Sequence, residues 1–290
     1  MCTLDSTHVE KRTVAGTKLS ALFETVEVAG GSFMYGRNGA SGGALATVEA
    51  FNISMYQVTQ GQWKAVMGSD KYPSWFDGET AQDMADGDKP IPATPKFNRD
   101  NLPVETVSWY EALVYANKLS LKEGLEPAYE IKGSADPARW GAVPTAADDD
   151  WNAVKVVAGA NGWRLPTERE WEYAAKGGVE SAKGYTGTNA DTYYVYSGSD
   201  TVGEVAVYKG NSGGRTHEVG SRDKANELGL HDMNGNVWEW CFDKWSSTSA
   251  GRVIRGGSWY NLAQTVRSVD RRTFDPDGTD ELIGFRLVRP

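Results

Sequence analysis

Eleven tryptophans distributed among 33 glycines set the strongest limit on what this chain can fold into. Glycine punctuates regular elements and supplies the conformations of tight turns, whereas each indole brings a large apolar area that has to be buried. A chain rich in both is expected to be a loop-rich globule whose few short elements are pinned by aromatic anchors. Of its 290 residues 40% are hydrophobic and 24% charged, enough for a substantial core and too apolar for wholesale disorder. No apolar run in the sequence approaches the ~18 residues of a membrane-spanning helix. The formal net charge of −9 argues against a surface that tracks phosphates, so no nucleic-acid partner is expected.

Two cysteines, Cys2 and Cys241, cannot build a disulfide framework, and His8, His217 and His231 lack the spacing of a metal triad. Cys2 has two readings: an ordinary residue of a frayed terminus, or the lipid-bearing first residue of a surface lipoprotein. The polar stretch from Thr3 to Lys18 would suit a tether behind it. Residues 1–21 are therefore expected to be a polar tether and 22–290 a single α+β domain.

Within that domain Phe23–Val28 alternates as a half-buried strand does, 30–36 forms a turn into a second strand, and Leu45–Met55 alternates again. Thr59 reads as the N-cap of a helix to Met67, followed by a long loop from Gly68 to Leu102. Two capping boxes, Ser108 with Glu111 and Thr167 with Glu170, open helices that end at Gly124 and at Gly177-Gly178. Tyr129–Lys132 and Val154–Val157 are short strand candidates. Trp109, Trp171, Trp238 and Trp240 are expected to be buried.

Seven blocks then occur in order: G-G-S-F-M-Y-G (30–36), V-T-Q-G-Q-W (58–63), L-P-V-E-T-V-S-W-Y-E-A (102–112), W-R-L-P-T-E-R-E-W-E-Y-A-A (163–175), G-L-H-D-M-N-G-N-V-W-E-W (229–240), R-G-G-S-W (255–259) and G-F-R-L-V (284–288). This set resembles the formylglycine-generating-enzyme (sulfatase-modifying factor) family. The resemblance implies a C-type-lectin-like fold with a small twisted antiparallel sheet, two main helices and long loops. Members that oxidise a sulfatase cysteine use two cysteines, two and seven residues after the aromatic of the R-G-G-S-aromatic motif. Here those positions hold Asn261 and Val266, which cannot supply the soft thiolates of a copper site. No catalytic residue is assigned on that ground, and a divergent oxidase is the alternative reading.

The segment 255–288 further resembles the variable region of proteins diversified by retroelements, which use the same lectin-like fold. That resemblance implies a surface-displayed binding protein. Arg255, Gly256, Gly257, Ser258, Trp259, Ala263, Arg267, Ser268, Arg271, Pro276, Ile283, Gly284 and Phe285 read as scaffold. Tyr260, Leu262, Thr265, Asp270, Arg272, Thr273, Phe274, Asp280 and Leu282 follow no regular period and mix aromatic with adaptable polar groups, as binding surfaces do. They are expected on one solvent-facing patch, with Arg255–Trp259 and Gly284–Val288 paired as terminal strands. Asp232, Glu239 and the carbonyls of Gly235 and Val237 match calcium-binding positions of the family; bracing of the turn by hydrogen bonds is the other reading of the two carboxylates. The expected partner is a protein or other surface ligand, the expected state a monomer, and the expected place a bacterial cell surface, as an outer-membrane lipoprotein held by Cys2.

Overall fold

The computed structural model describes residues 23–36, 43–68, 73–76, 98–178 and 193–290; Cys2, the stretch from Thr3 to Lys18 and Leu22 lie outside them. The chain enters through β1 (Thr25–Val28), forms an antiparallel ladder of β2 (Gly31–Tyr35) with β3 (Ala44–Val48), and returns as β4 (Phe51–Ser54). Strand β4 lies antiparallel to β1 with Val26 opposite Ile53, so the alternation read from the sequence puts Val28, Phe51 and Ile53 into the core.

Three helices carry the domain: α1 (Gln60–Met67), α2 (Trp109–Glu123) and, after the single turn α3 (Asp149–Asn152), α4 (Glu168–Ala175). A further single turn is α5 (Val202–Val205). Thr59, Ser108 and Thr167 start α1, α2 and α4 by the same device: each hydroxyl accepts from the N–H three residues on, at 3.2 Å. The side chains of Gln62, Glu111 and Glu170 accept in return from the cap N–H groups. Gly124 ends α2 in the left-handed conformation, with its N–H on the carbonyls of Leu121 and Ser120. Among the described residues no helix is long and apolar enough to cross a membrane.

The remaining strands are β5 (Tyr129–Glu130), β6 (Lys155–Val156), β7 (Trp238–Lys244), β8 (Arg252–Arg255), β9 (Arg271–Phe274), β10 (Ile283–Gly284) and β11 (Val288–Arg289). Strands β5 and β6 pair with each other; the central sheet has the order β10-β7-β8-β9, and β11 joins β4. The pairing expected between Arg255–Trp259 and Gly284–Val288 is not formed. Strand β7 lies between them, antiparallel to β8 and parallel to β10, because its first four residues are buried and need neighbours on both edges. The reading of no regular period for the nine residues from Tyr260 to Leu282 also fails at β9, which pairs with β8 through Arg272 opposite Ile254 and Thr273 opposite Val253. Its period is hidden because an edge strand is anchored on one side only, and its burial does not alternate cleanly.

Trp109, Trp171 and Trp240 are fully buried and Trp238 is 5% exposed. The three fully buried indoles each find an acceptor: Trp109 Nε1 donates to the Cys241 carbonyl (3.0 Å), Trp240 Nε1 to the Val107 carbonyl (2.9 Å) and Trp171 Nε1 to Glu239 Oε2 (2.6 Å). Trp240 joins β7 to the loop before α2 and touches Phe274 on β9. Trp240→Ala should therefore cost about 3–5 kcal/mol in urea unfolding; an unchanged midpoint would contradict this placement.

Candidate ligand-binding surface

The R-G-G-S-W block makes a turn that only glycine permits. Gly256 and Gly257 both have positive φ (95° and 79°), and a Cβ on Gly257 would meet Val266 Cγ1 at 2.5 Å. The Ser258 N–H and hydroxyl then both donate to Asn261 Oδ1 at 2.9 Å, closing the turn. Val266 is fully buried in a cluster with Tyr196, Val205 and Ala206. Asn261 is thus a turn brace and Val266 a core aliphatic, neither of them a soft metal ligand. Cys241 is buried too, and burial pushes its thiol well above the ordinary range.

Trp259, 2% exposed, forms the floor of the surface. Phe76 meets it edge-on at 5.3 Å and Val207 and Leu282 share its cluster. Tyr260 stands edge-on to the same ring at 5.6 Å, with Lys209 Nζ 5.2 Å from its own ring centre. Tyr260 and Leu282, far apart in sequence, therefore meet at one indole. Tyr260 and Leu262 are each 52% exposed; Arg272 and Thr273 are exposed, and Thr265, Asp270, Phe274, Asp280 and Leu282 are half-buried.

The nine residues do not share one face. Arg272 and Thr273 are adjacent on β9, and successive side chains of a strand point to opposite sides of the sheet. Phe274 packs on Trp240 at 6.0 Å and belongs in part to the core. Asp270 is engaged by Arg267 at 2.8 and 2.9 Å, and Asp280 Oδ1 accepts from the Leu282 N–H at 2.8 Å. Tyr260 and Leu282 remain as the apolar contact area around the Trp259 cluster, with Leu262 exposed two residues after Tyr260. Of the expected scaffold, Arg271 pairs with Glu168 at 2.7 Å and the Pro276 carbonyl accepts from Trp109 N–H at 3.0 Å, whereas Arg267 braces only its own turn.

In the 232–239 turn Asp232, Gly235 and Asn236 all have positive φ, which turns backbone carbonyls inward. The carbonyls of Asp232, Gly235 and Val237 and Glu239 Oε1 converge, but on the Gln57 side-chain nitrogen, at 3.0–3.3 Å. Both Glu239 oxygens also bind Arg286, at 2.6 and 2.8 Å. The set does not fit a calcium ion. Such an ion needs six to eight oxygens at roughly 2.3–2.6 Å, and here an amide nitrogen stands at the focus, the Arg286 guanidinium already pairs with Glu239, and Asp232 Oδ2 accepts from the Gly220 N–H at 2.6 Å. Among the described residues no group of three or more His, Cys, Asp or Glu could hold a metal.

One part of the surface has no clear signal in the sequence: the strap 73–76, inside the expected long loop. Trp75 and Phe76 donate their N–H groups to the two oxygens of Glu105 (2.9 Å each), and Thr106 Oγ1 donates at 2.6 Å. Glu105 is fully buried, while Trp75 is 47% exposed beside Phe76. The one available hint is a glutamate set among apolar residues in Val104-Glu105-Thr106-Val107. Burial pushes the Glu105 carboxyl up to about 7, opposed by its three donors. Its folded state thus keeps a proton that the unfolded chain releases near 4.5, so this contribution to stability is full below pH 4.5 and is lost as the pH rises through 7. Unfolding measured across that range should show wild type losing up to about 3 kcal/mol from this group, a slope that Glu105→Gln removes.

Residues 11–290 match the family model of the sulfatase-modifying factor enzyme 1-like domain. Chaperone protein LppX of Paenibacillus barcinonensis is 35% identical over 92% of this chain and 89% of its own length. Inactive C-alpha-formylglycine-generating enzyme 2 of Bos taurus is 26% identical, covering 91% and 87%. Among solved structures, Treponema denticola variable protein 1 has a TM-score of 0.76 at 33% identity, over 92% of this chain and 95% of that one. The three capped helices, the small sheets and the long connections are those of the C-type-lectin-like fold of the formylglycine-generating-enzyme type. The chain belongs to the family of sulfatase-modifying factor enzyme 1-like domains.

Proposed function

We propose that this protein is a surface-displayed binding protein in which the segment 255–288 provides a diversified ligand-contacting surface on a scaffold without formylglycine-generating activity. The observation that carries this reading is how the segment is held. The rest of the domain grips its backbone: Lys209 N–H donates to the Asn261 carbonyl (2.9 Å), Asn234 Nδ2 to Val266 (2.6 Å), Trp109 N–H to Pro276 (3.0 Å), Thr106 N–H to Asp280 (3.0 Å) and Trp238 N–H to Leu282 (2.7 Å). Arg255 adds bonds to the carbonyls of Ser268, Val269 and Asp270. A loop fixed through its carbonyls keeps its path when its side chains change, which a diversified site requires.

The likeness to a variable protein and to an inactive formylglycine-generating enzyme supports a non-catalytic binder. The likeness to a protein named as a chaperone favours a polypeptide as the ligand. Rigid aromatic area at Tyr260 beside Lys209 suits such a surface. Display through a lipid on Cys2 belongs to the same proposal, and mass spectrometry of the native product tests it by finding acylated Cys2 rather than a free thiol.

The decisive experiment is sequencing of the locus, which should contain a reverse transcriptase and a near-copy of the codons for 255–288. A cysteine-containing sulfatase peptide incubated with the copper-loaded protein should keep its mass, and its oxidation would reverse the reading. Replacing Tyr260, Leu262, Thr265 and Arg272 by serine should cost within about 0.5 kcal/mol per position, whereas Asn234→Ala, which frees a backbone grip, should cost about 1–3 kcal/mol, both read by urea unfolding.

A further inference from the structure

The Gln57 side chain is 1% exposed, and its nitrogen faces four oxygens with only two hydrogens to give. Its own oxygen, buried as well, has no hydrogen-bond partner. An amide placed for ordinary bonding would match its donors and its acceptor. This one leaves its acceptor unmet in order to keep the NH2 inside an all-oxygen cage. Reversing the amide would set a fifth oxygen against the other four. Three of the four are backbone carbonyls directed inward by the left-handed residues Asp232, Gly235 and Asn236, so their directions are set by the backbone of the turn.

A cage of this kind is electrostatically suited to positive charge at its centre. We propose that the Gln57 carboxamide is a built-in substitute for a divalent cation in the 232–239 turn. The NH2 group supplies the partial positive charge at the focus, Arg286 supplies the full charge opposite Glu239, and the turn holds its shape without metal. The cage remains latent: removing the amide leaves three carbonyls and a carboxylate oxygen around a vacated centre, with the chemistry of a hard-cation site. Gln57 itself follows β4 and its side-chain hydrogen bonds all go to the 232–239 turn, so this holds whether or not the proposed binding role does.

The full chain tests it. Wild-type protein should contain no stoichiometric calcium by elemental analysis, and its Tm should be the same in EDTA and in about 1 mM calcium chloride. Gln57→Ala should melt lower than wild type in EDTA and regain several degrees with calcium, saturably and with one ion per chain. Gln57→Glu, nearly equal in volume, places a carboxylate in the oxygen cage and should show the larger calcium dependence; it carries the test if Gln57→Ala is insoluble. Stoichiometric calcium in the wild type, or a calcium-dependent wild-type Tm, overturns the proposal. So does the absence of calcium rescue in both variants, including failure of both to fold with calcium present.

Discussion

The buried pair of Glu239 with Arg286 is the contact on which the rest of this structure depends. Both side chains are fully buried, and Arg286 also donates to the carbonyls of Ser54, Met55 and His231. Glu239 accepts from the indole of Trp171 and from Gln57 besides. One ion pair thus ties the end of β4, the 232–239 turn, α4, β7 and the chain end into one centre. Such a pair contributes little net stability compared with apolar residues of equal size, but removing one partner strands a buried charge, at a cost of about 3–5 kcal/mol. Its role here is positional: it ties β7 to the segment that follows β10.

A second buried network lies on the other side of Trp171. Arg255 binds Glu172 at 2.6 Å, Glu172 binds Lys176 at 2.7 Å, and Glu168 binds Arg271 at 2.7 Å. These charges hold α4 against β8 and β9 without using the exposed side chains of the C-terminal segment. Stability and surface identity are therefore carried by different atoms: core charges and backbone carbonyls for the first, Tyr260, Leu262 and their neighbours for the second.

The capped helices were legible because their signals are local. Ser108 with Glu111 and Thr167 with Glu170 lie within one turn of each other, and the glycines that stop the helices follow directly in sequence. The burial of the tryptophans was legible for a similar reason, since an indole brings a large apolar area that a packed core takes up. The pairing of the terminal strands was not. Whether Gly284 pairs with the 255–259 block or with Glu239 depends on what occupies the space between them, and no spacing in the chain records that.

Composition, caps and the seven ordered blocks by themselves determined the fold class, the capped helices and the aromatic core. Tertiary structure decided the rest. It placed Gln57 at the centre of a turn some 175 residues away, clamped Trp75 and Phe76 to Glu105, and set Arg272 and Thr273 on opposite faces of β9. The division has a physical cause: a cap or a buried ring is specified by neighbours along the chain and by its own surface, whereas a cage of carbonyls or a shared indole floor exists only once distant segments converge.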